Sequence, residues 1–286
     1  MTETGDHPIG ASEVRRRAPG SGWILALAIL FLGATFLAWY FTWFGRELSD
    51  ADISKYLNDE KNPRHVQHAL LQIQQRIERG DANAKSWYPQ LVTLSRNQET
   101  EFRLTTAWVM GFDPKSTEFH DALKKLLQDQ EPIVRRNAAL ALVRFGDASG
   151  RAELISVLSP YAVRAPVDGL MASSLKEEAE VARGSLLVRI QHSNNEIIEL
   201  RSPLAGRINK IFKTNGTQLA AGDEILNLNS DEDSVWEALR GLSLIGTRED
   251  LPIIQSYAES TNVSERIREQ AKLTIKQVER AASPAK

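Results

Sequence analysis

Cysteine is absent from this chain, which excludes disulfides, thiolate metal sites, iron–sulfur clusters and cysteine nucleophiles together. It leaves the redox compartment open. An excess of either charge sign is missing as well: 35 basic side chains stand against 37 acidic ones, a net charge of -2, so no global field draws in nucleic acid or an anionic bilayer. Nucleic acid is therefore not an expected partner. Histidine is scarce. His65 and His68 lie three apart on a predicted helix but have no third ligand nearby, and His120 and His192 are isolated, so all four are read as ordinary surface residues. No Ser/His/Asp set, phosphate-cradling glycine loop or HExxH motif occurs. The acidic run Asp231, Glu232 and Asp233 has the placing of a solvated linker and helix N-cap rather than of paired catalytic carboxylates. The expectation is a chain with no catalytic, cofactor-binding or metal-binding residues and no cofactor, hence not an enzyme.

Charge is also lacking between Trp23 and Phe44, where the chain runs WILALAILFLGATFLAWYFTWF. As a helix, that run matches a hydrocarbon core of about 30 Å. Trp23 at one end and Trp39, Tyr40 and Trp43 at the other suit interfacial aromatic belts. A cleaved signal peptide fits less well, because the bulky exit AWYFTWFG offers no small-x-small site. Residues 23–44 are thus expected to be a transmembrane helix in contact with the lipid bilayer. Arg15, Arg16 and Arg17 before it, against Arg46 alone just after it, place the tail 1–22 in the cytoplasm and the C-terminal part outside an inner membrane. The Ala34 and Ala38 pair has helix-packing spacing, but such pairs arise by chance in apolar runs.

Two segments echo each other: RAPVDGLMASSLKEEAEVARGSLLVRI from Arg164 and RSPLAGRINKIFKTNGTQLAAGDEILNL from Arg201. Each sets a Pro-x-x-Gly turn well ahead of a second glycine turn, Gly169 with Gly184 and Gly206 with Gly222. The apolar bursts, Leu186 to Ile190 and Ile225 to Leu228, read as short strands. Two such halves can fold over each other about a pseudo-twofold axis. The APVDG and SPLAG turns with NGTQLAAGDEIL resemble the biotinyl/lipoyl domain family, a barrel-sandwich hybrid, in the form found in periplasmic adaptor (membrane-fusion) proteins. The resemblance implies an all-β domain over residues 161–230. A carrier of that family bears its cofactor on a lysine between the halves. Here that hairpin is QHSNNE, and no lysine occurs between Lys176 and Lys210.

Helical patterns flank this region. EPIVRRNAALALVRFGD opens with proline in a first helical turn and places Ala138, Ala141, Leu142 and Phe145 on one stripe, followed by GRAELISVL as an antiparallel companion. Upstream, ETEFRLTTAWVMGFD repeats it, with Phe102 under Val134, Arg103 under Arg135 and Ala107 under Ala139. NPRHVQHALLQIQQRIERGD, from Asn62, is a more degenerate unit. Downstream, Ala238, Leu242 and Gly246 restate Ala138, Leu142 and Gly146, and SERIREQAKLTIKQV closes the series. These stretches resemble HEAT repeats, which stack helix pairs into a solenoid.

The expected fold class is therefore multi-domain: an N-terminal transmembrane helix, an all-α HEAT-like solenoid and an all-β barrel-sandwich hybrid inserted into it. The layout is a linker at 45–61, repeats at 62–160 and 231–282, the β domain at 161–230 and a tail at 283–286. Arg103, Arg135 and Arg268, at matched positions, are expected to bond to inter-repeat turns rather than to form a ligand ladder. Trp87, Trp108 and Trp236 serve as packing elements if buried and as interface anchors if exposed. The expected function is a membrane-anchored scaffold that binds protein partners, such as an inner-membrane transporter or an envelope complex. The rival is a biotin or lipoate carrier subunit.

Overall fold

The computed structural model describes residues 21–43, 47–192 and 196–282, and its compact units divide after Leu48. The arginine triplet 15–17, Phe44, Arg46, the hairpin tip 193–195 and the tail 283–286 lie outside the described residues.

In the first unit a single helix, α1 (Ser21–Trp43), carries exposed apolar side chains such as Trp23, Phe31 and Phe36. Among the described residues no helix is long and apolar enough to cross a membrane. The transmembrane assignment of residues 23–44 and the single-pass inner-membrane localisation built on it are therefore corrected.

The second unit opens with α2 (Asp50–Leu57), capped by Ser49 accepting from Asp52 N at 3.1 Å. Helix pairs follow: α3 (Pro63–Glu78) with α4 (Tyr88–Leu94), α5 (Thr100–Met110) with α6 (Thr117–Leu126), and α7 (Pro132–Arg144) with α8 (Arg151–Val157). Local chemistry sets their ends. Proline occupies the first turn of α3, α4 and α7, where its missing N–H is no loss, and Ser116 caps α6 through Phe119 N. The first helix of each pair packs on the first helix of the next, burying Leu70, Phe102, Val134 and Leu142 completely.

After α8 come eight short strands: β1 (Tyr161–Arg164), β2 (Gly169–Ala172), β3 (Glu180–Val181), β4 (Leu186–Gln191), β5 (Ile197–Arg201), β6 (Gly206–Ile211), β7 (Gln218–Leu219) and β8 (Glu224–Ser230). They form two antiparallel sheets, ordered β1-β8-β6-β3 and β5-β4-β2-β7. The two halves trade strands: β7 of the second pairs with β2 of the first, and β3 of the first pairs with β6 of the second. Met171, Val188, Ile190, Ile208, Ile225 and Leu228 fill the layer between the sheets. Gly169 and Gly206 begin matched strands where a Cβ would run into the facing carbonyl, of Gln191 and of Asn229 respectively, so any side chain there would push the paired strand away.

Helices resume with α9 (Glu232–Ile245), capped by Asp231 accepting from Ser234 N at 3.0 Å, then α10 (Leu251–Glu259) and α11 (Glu265–Ala281). One apolar core joins helices from both sides of the strands, with Ala139, Val143, Leu154 and Val157 against Val235, Leu239, Leu242 and Ile254. The small antiparallel sheet region and the helices form one compact unit from Ser49 onward, so the expectation of a separate barrel-sandwich domain inserted into the solenoid is also corrected. The physical reason is contact with the helices: the sheet region's Arg183 pairs with Glu101 on α5, and residues of β3, β6 and β8 wall one cleft together with α9, α10 and α11.

Candidate interaction surfaces

Each repeat turn is built around one aspartate. Asp113, Asp147 and Asp250 each accept a nearby backbone N–H, from Lys115 at 3.1 Å, Ser149 at 2.6 Å and Thr247 at 2.8 Å. Each also accepts a side chain from the second helix of the repeat before it. Tyr88 Oη donates to Asp113 at 2.8 Å, His120 Nε2 lies 2.6 Å from Asp147, and Arg151 forms a fork to Asp250 at 2.8 and 2.9 Å. The last of these spans the whole strand segment. Burial, with Asp113 as neighbour, pushes the Tyr88 hydroxyl up, while hydrogen bonds from Ser149 and His120 hold Asp147 down to about 2.

Arg103 donates to the carbonyls of Asn97 and Gln98 and, bidentately, to Asp129; Arg135 donates to the carbonyls of Asp129 and Gln130 and to Glu153. Arg268 reaches only the Val263 carbonyl, at 2.6 Å. All three thus tie the turn ahead of their own helix, and Arg103 and Arg135 add a carboxylate further along. The histidines are engaged too. His65 stacks on Tyr56 and bonds to Asp59 at 2.7 Å, His68 lies beside Gln72, and His192 Nδ1 bonds to the Asp168 carbonyl at 2.8 Å.

A cleft of about 760 Å³ lies between β3, β6, β8 and helices α9 to α11. Glu180, Arg207, Ser230, Asp231, Tyr257 and Ile267 are among its walls. Several of its polar groups are engaged: Asp231 caps α9, Arg207 pairs with Glu180, and Tyr257, whose hydroxyl burial pushes up, donates to the Leu158 carbonyl, whereas the buried Ser230 hydroxyl has no hydrogen-bond partner among the described residues. No histidine lines it, and no group of metal-binding side chains occurs among the described residues.

A second hollow, about 210 Å³, crosses α5, α7 and α9. Trp108 and Leu244 rim it, 38% and 74% exposed, and Leu140 and Ala141 form part of its floor. Arg144 lies over the Phe112 ring at 4.3 Å, and Arg240 shares the Trp236 ring, at 5.5 Å, with Arg266 at 4.8 Å. Neither arginine forms an ion pair among the described residues. Of the three tryptophans singled out in the sequence, Trp87 is buried, with Nε1 on Ser54 Oγ at 2.9 Å, Trp108 rims the hollow, and Trp236 is half-buried against the helical core beside Arg240. The hollow had no signature along the chain, because its walls come from three helices on both sides of the strand segment. Among the turn aspartates only Asp147 had one, since Gly146-Asp147 repeats the step Gly80-Asp81, whereas Asp113 and Asp250 follow Phe112 and Glu249.

A family model described as HEAT repeats matches residues 88–171, from α4 through β2. The chain carries HEAT repeats. No curated protein matches. Among solved structures, one subunit chain of the phycocyanin lyase complex of CpcE and CpcF from Nostoc sp. PCC7120 is 13% identical with a TM-score of 0.45, over 83% of this chain and 67% of that one. A single-chain, multi-domain long-chain acyl-CoA carboxylase is 23% identical with a TM-score of 0.24, over 34% of this chain. The match spans only 10% of the carboxylase chain.

Proposed function

We propose that this protein is a non-catalytic scaffold whose HEAT repeats bind a protein partner across the first helices of successive repeats. HEAT repeats as a class present extended surfaces suited to protein contacts. The observation that supports this reading most is the α5–α7–α9 face, where a half-exposed tryptophan, an exposed leucine and two arginines that share the single carboxylate Glu237 converge. Tryptophan and arginine are the residues that most often dominate binding energy at interfaces. A hollow of this size falls below the roughly 300–1,000 Å³ of small-molecule sites and suits a single side chain. In the larger cleft Asp231, Glu180 and the Tyr257 hydroxyl already serve a helix cap, an ion pair and a bond to a backbone carbonyl.

A photo-crosslinking residue in place of Leu244, compared with one in place of exposed Glu118 on α6, tests this in the native cell. The expected result is a discrete protein adduct from position 244 and none from 118. Absence of any protein adduct from position 244 overturns the reading.

A further inference from the structure

We infer that the hollow across α5, α7 and α9 receives an amphipathic helix of a partner protein, which inserts one large apolar side chain between Trp108 and Leu244 and sets carboxylates against Arg144 and Arg240. The inference rests on the scaffold reading above and names the partner's chemistry.

Charge complementarity carries it. Each arginine sits against an aromatic ring, Phe112 or Trp236, which narrows the positions its guanidinium samples while its donors remain able to meet a planar acceptor. Such a preorganised fork loses little rotamer freedom when a carboxylate docks. Glu237 is the one carboxylate in the walls, against two cations, so the balance at the rim favours an acidic visitor.

The secondary structure of the visitor follows from the backbone. The walls are helical side chains, and helices spend their own N–H and C=O groups internally, so this surface offers no row of backbone groups to an incoming strand. An extended segment would press unpaired backbone polar groups against Leu140 and Leu244. A helix arrives with those groups already satisfied and presents neighbouring side chains three or four positions apart. One apolar anchor with acids a turn away on either side can meet both arginines whichever way the visiting helix runs.

The test uses two fluorescein-labelled stapled helical peptides, each with one central Phe, flanked a turn away on both sides by Glu in one and by Lys in the other. Anisotropy titration against the full chain should show the Glu peptide binding at least about tenfold tighter. The double variant Arg144→Glu with Arg240→Glu should reverse that preference, and Leu244→Asp should weaken both peptides, with circular dichroism unchanged. Equal binding of the two peptides, binding of neither, or a preference that survives the double variant overturns the inference. If a partner still crosslinks at position 244 in that event, the scaffold reading stands and only the acidic-helix occupant is lost; if it does not, both fall.

Discussion

Two junctions between HEAT repeats perform the same task over very different lengths of chain. At one, His120 reaches Asp147 across 27 positions; at the other, Arg151 reaches Asp250 across 99, with both sheets in between. On loop-length scaling, the longer closure costs about 1 kcal/mol more in chain entropy. Its donor differs accordingly. His120 makes a single hydrogen bond to Asp147 and stacks on Phe145, whereas Arg151 makes a charge-assisted fork to Asp250 and a further contact to Glu249. The array is thus held most firmly where the chain departs from it, and the continuity of the binding face across α7 and α9 depends on that hold.

The sharpest break in this comparison is Asp250→Ala. Asp250 is buried, and its removal strands the Thr247 N–H and leaves Arg151 with Glu249 alone. Removing one partner of a buried pair costs about 3 kcal/mol. Denaturant unfolding followed by tryptophan fluorescence should show that loss, and the Leu244 crosslink should weaken with it. A loss below about 1 kcal/mol would mean that the apolar core alone joins α8 to α9.

The His120 junction should instead betray itself in acid. Asp147 is held at about 2, first by Ser149 and then by His120, against 3.8 when free. A carboxylate depressed in the folded state contributes stability above its unfolded value and loses it as pH falls from near 4 toward 2. That contribution amounts to about 2 kcal/mol at most. Asp147→Asn should therefore be less stable than the parent at neutral pH and converge with it by pH 2. Parallel curves over that range would assign the acid sensitivity elsewhere.

Much of the helical array was legible in the residues themselves. Phe102 under Val134 and Arg103 under Arg135 are equivalent because a helix pair of fixed length brings the same face to the core once per repeat, and both pairs occupy matching places in α5 and α7. The bursts at Leu186 and Ile225 became β4 and β8 for an equally local reason, a dense apolar run between glycine turns. What failed was inference from apolarity alone at residues 23–44, which carries no information about what surrounds the helix. What escaped notice was non-local. The fork from Arg151 to Asp250 and the hollow beneath Leu244 unite residues about a hundred positions apart, and nothing in either neighbourhood announces the other.

The arginines at matched positions offer the finest distinction. Arg103 makes four hydrogen bonds, two to turn carbonyls and two to Asp129, whereas Arg268, on the last helix, makes one, to Val263. Lysine keeps the charge but cannot span a carboxylate and two carbonyls at once, since its three donors radiate from a single point. Arg103→Lys should cost about 1 kcal/mol, with net hydrogen bonds worth about 0.5–1.5 kcal/mol each and some regained through water. Arg268→Lys should cost less than about 0.5 kcal/mol, because a single carbonyl asks only for one donor. Equal losses in the two variants would show that the shared position matters for packing of the arginine stem, and that the acid one repeat further on contributes nothing to holding the array together.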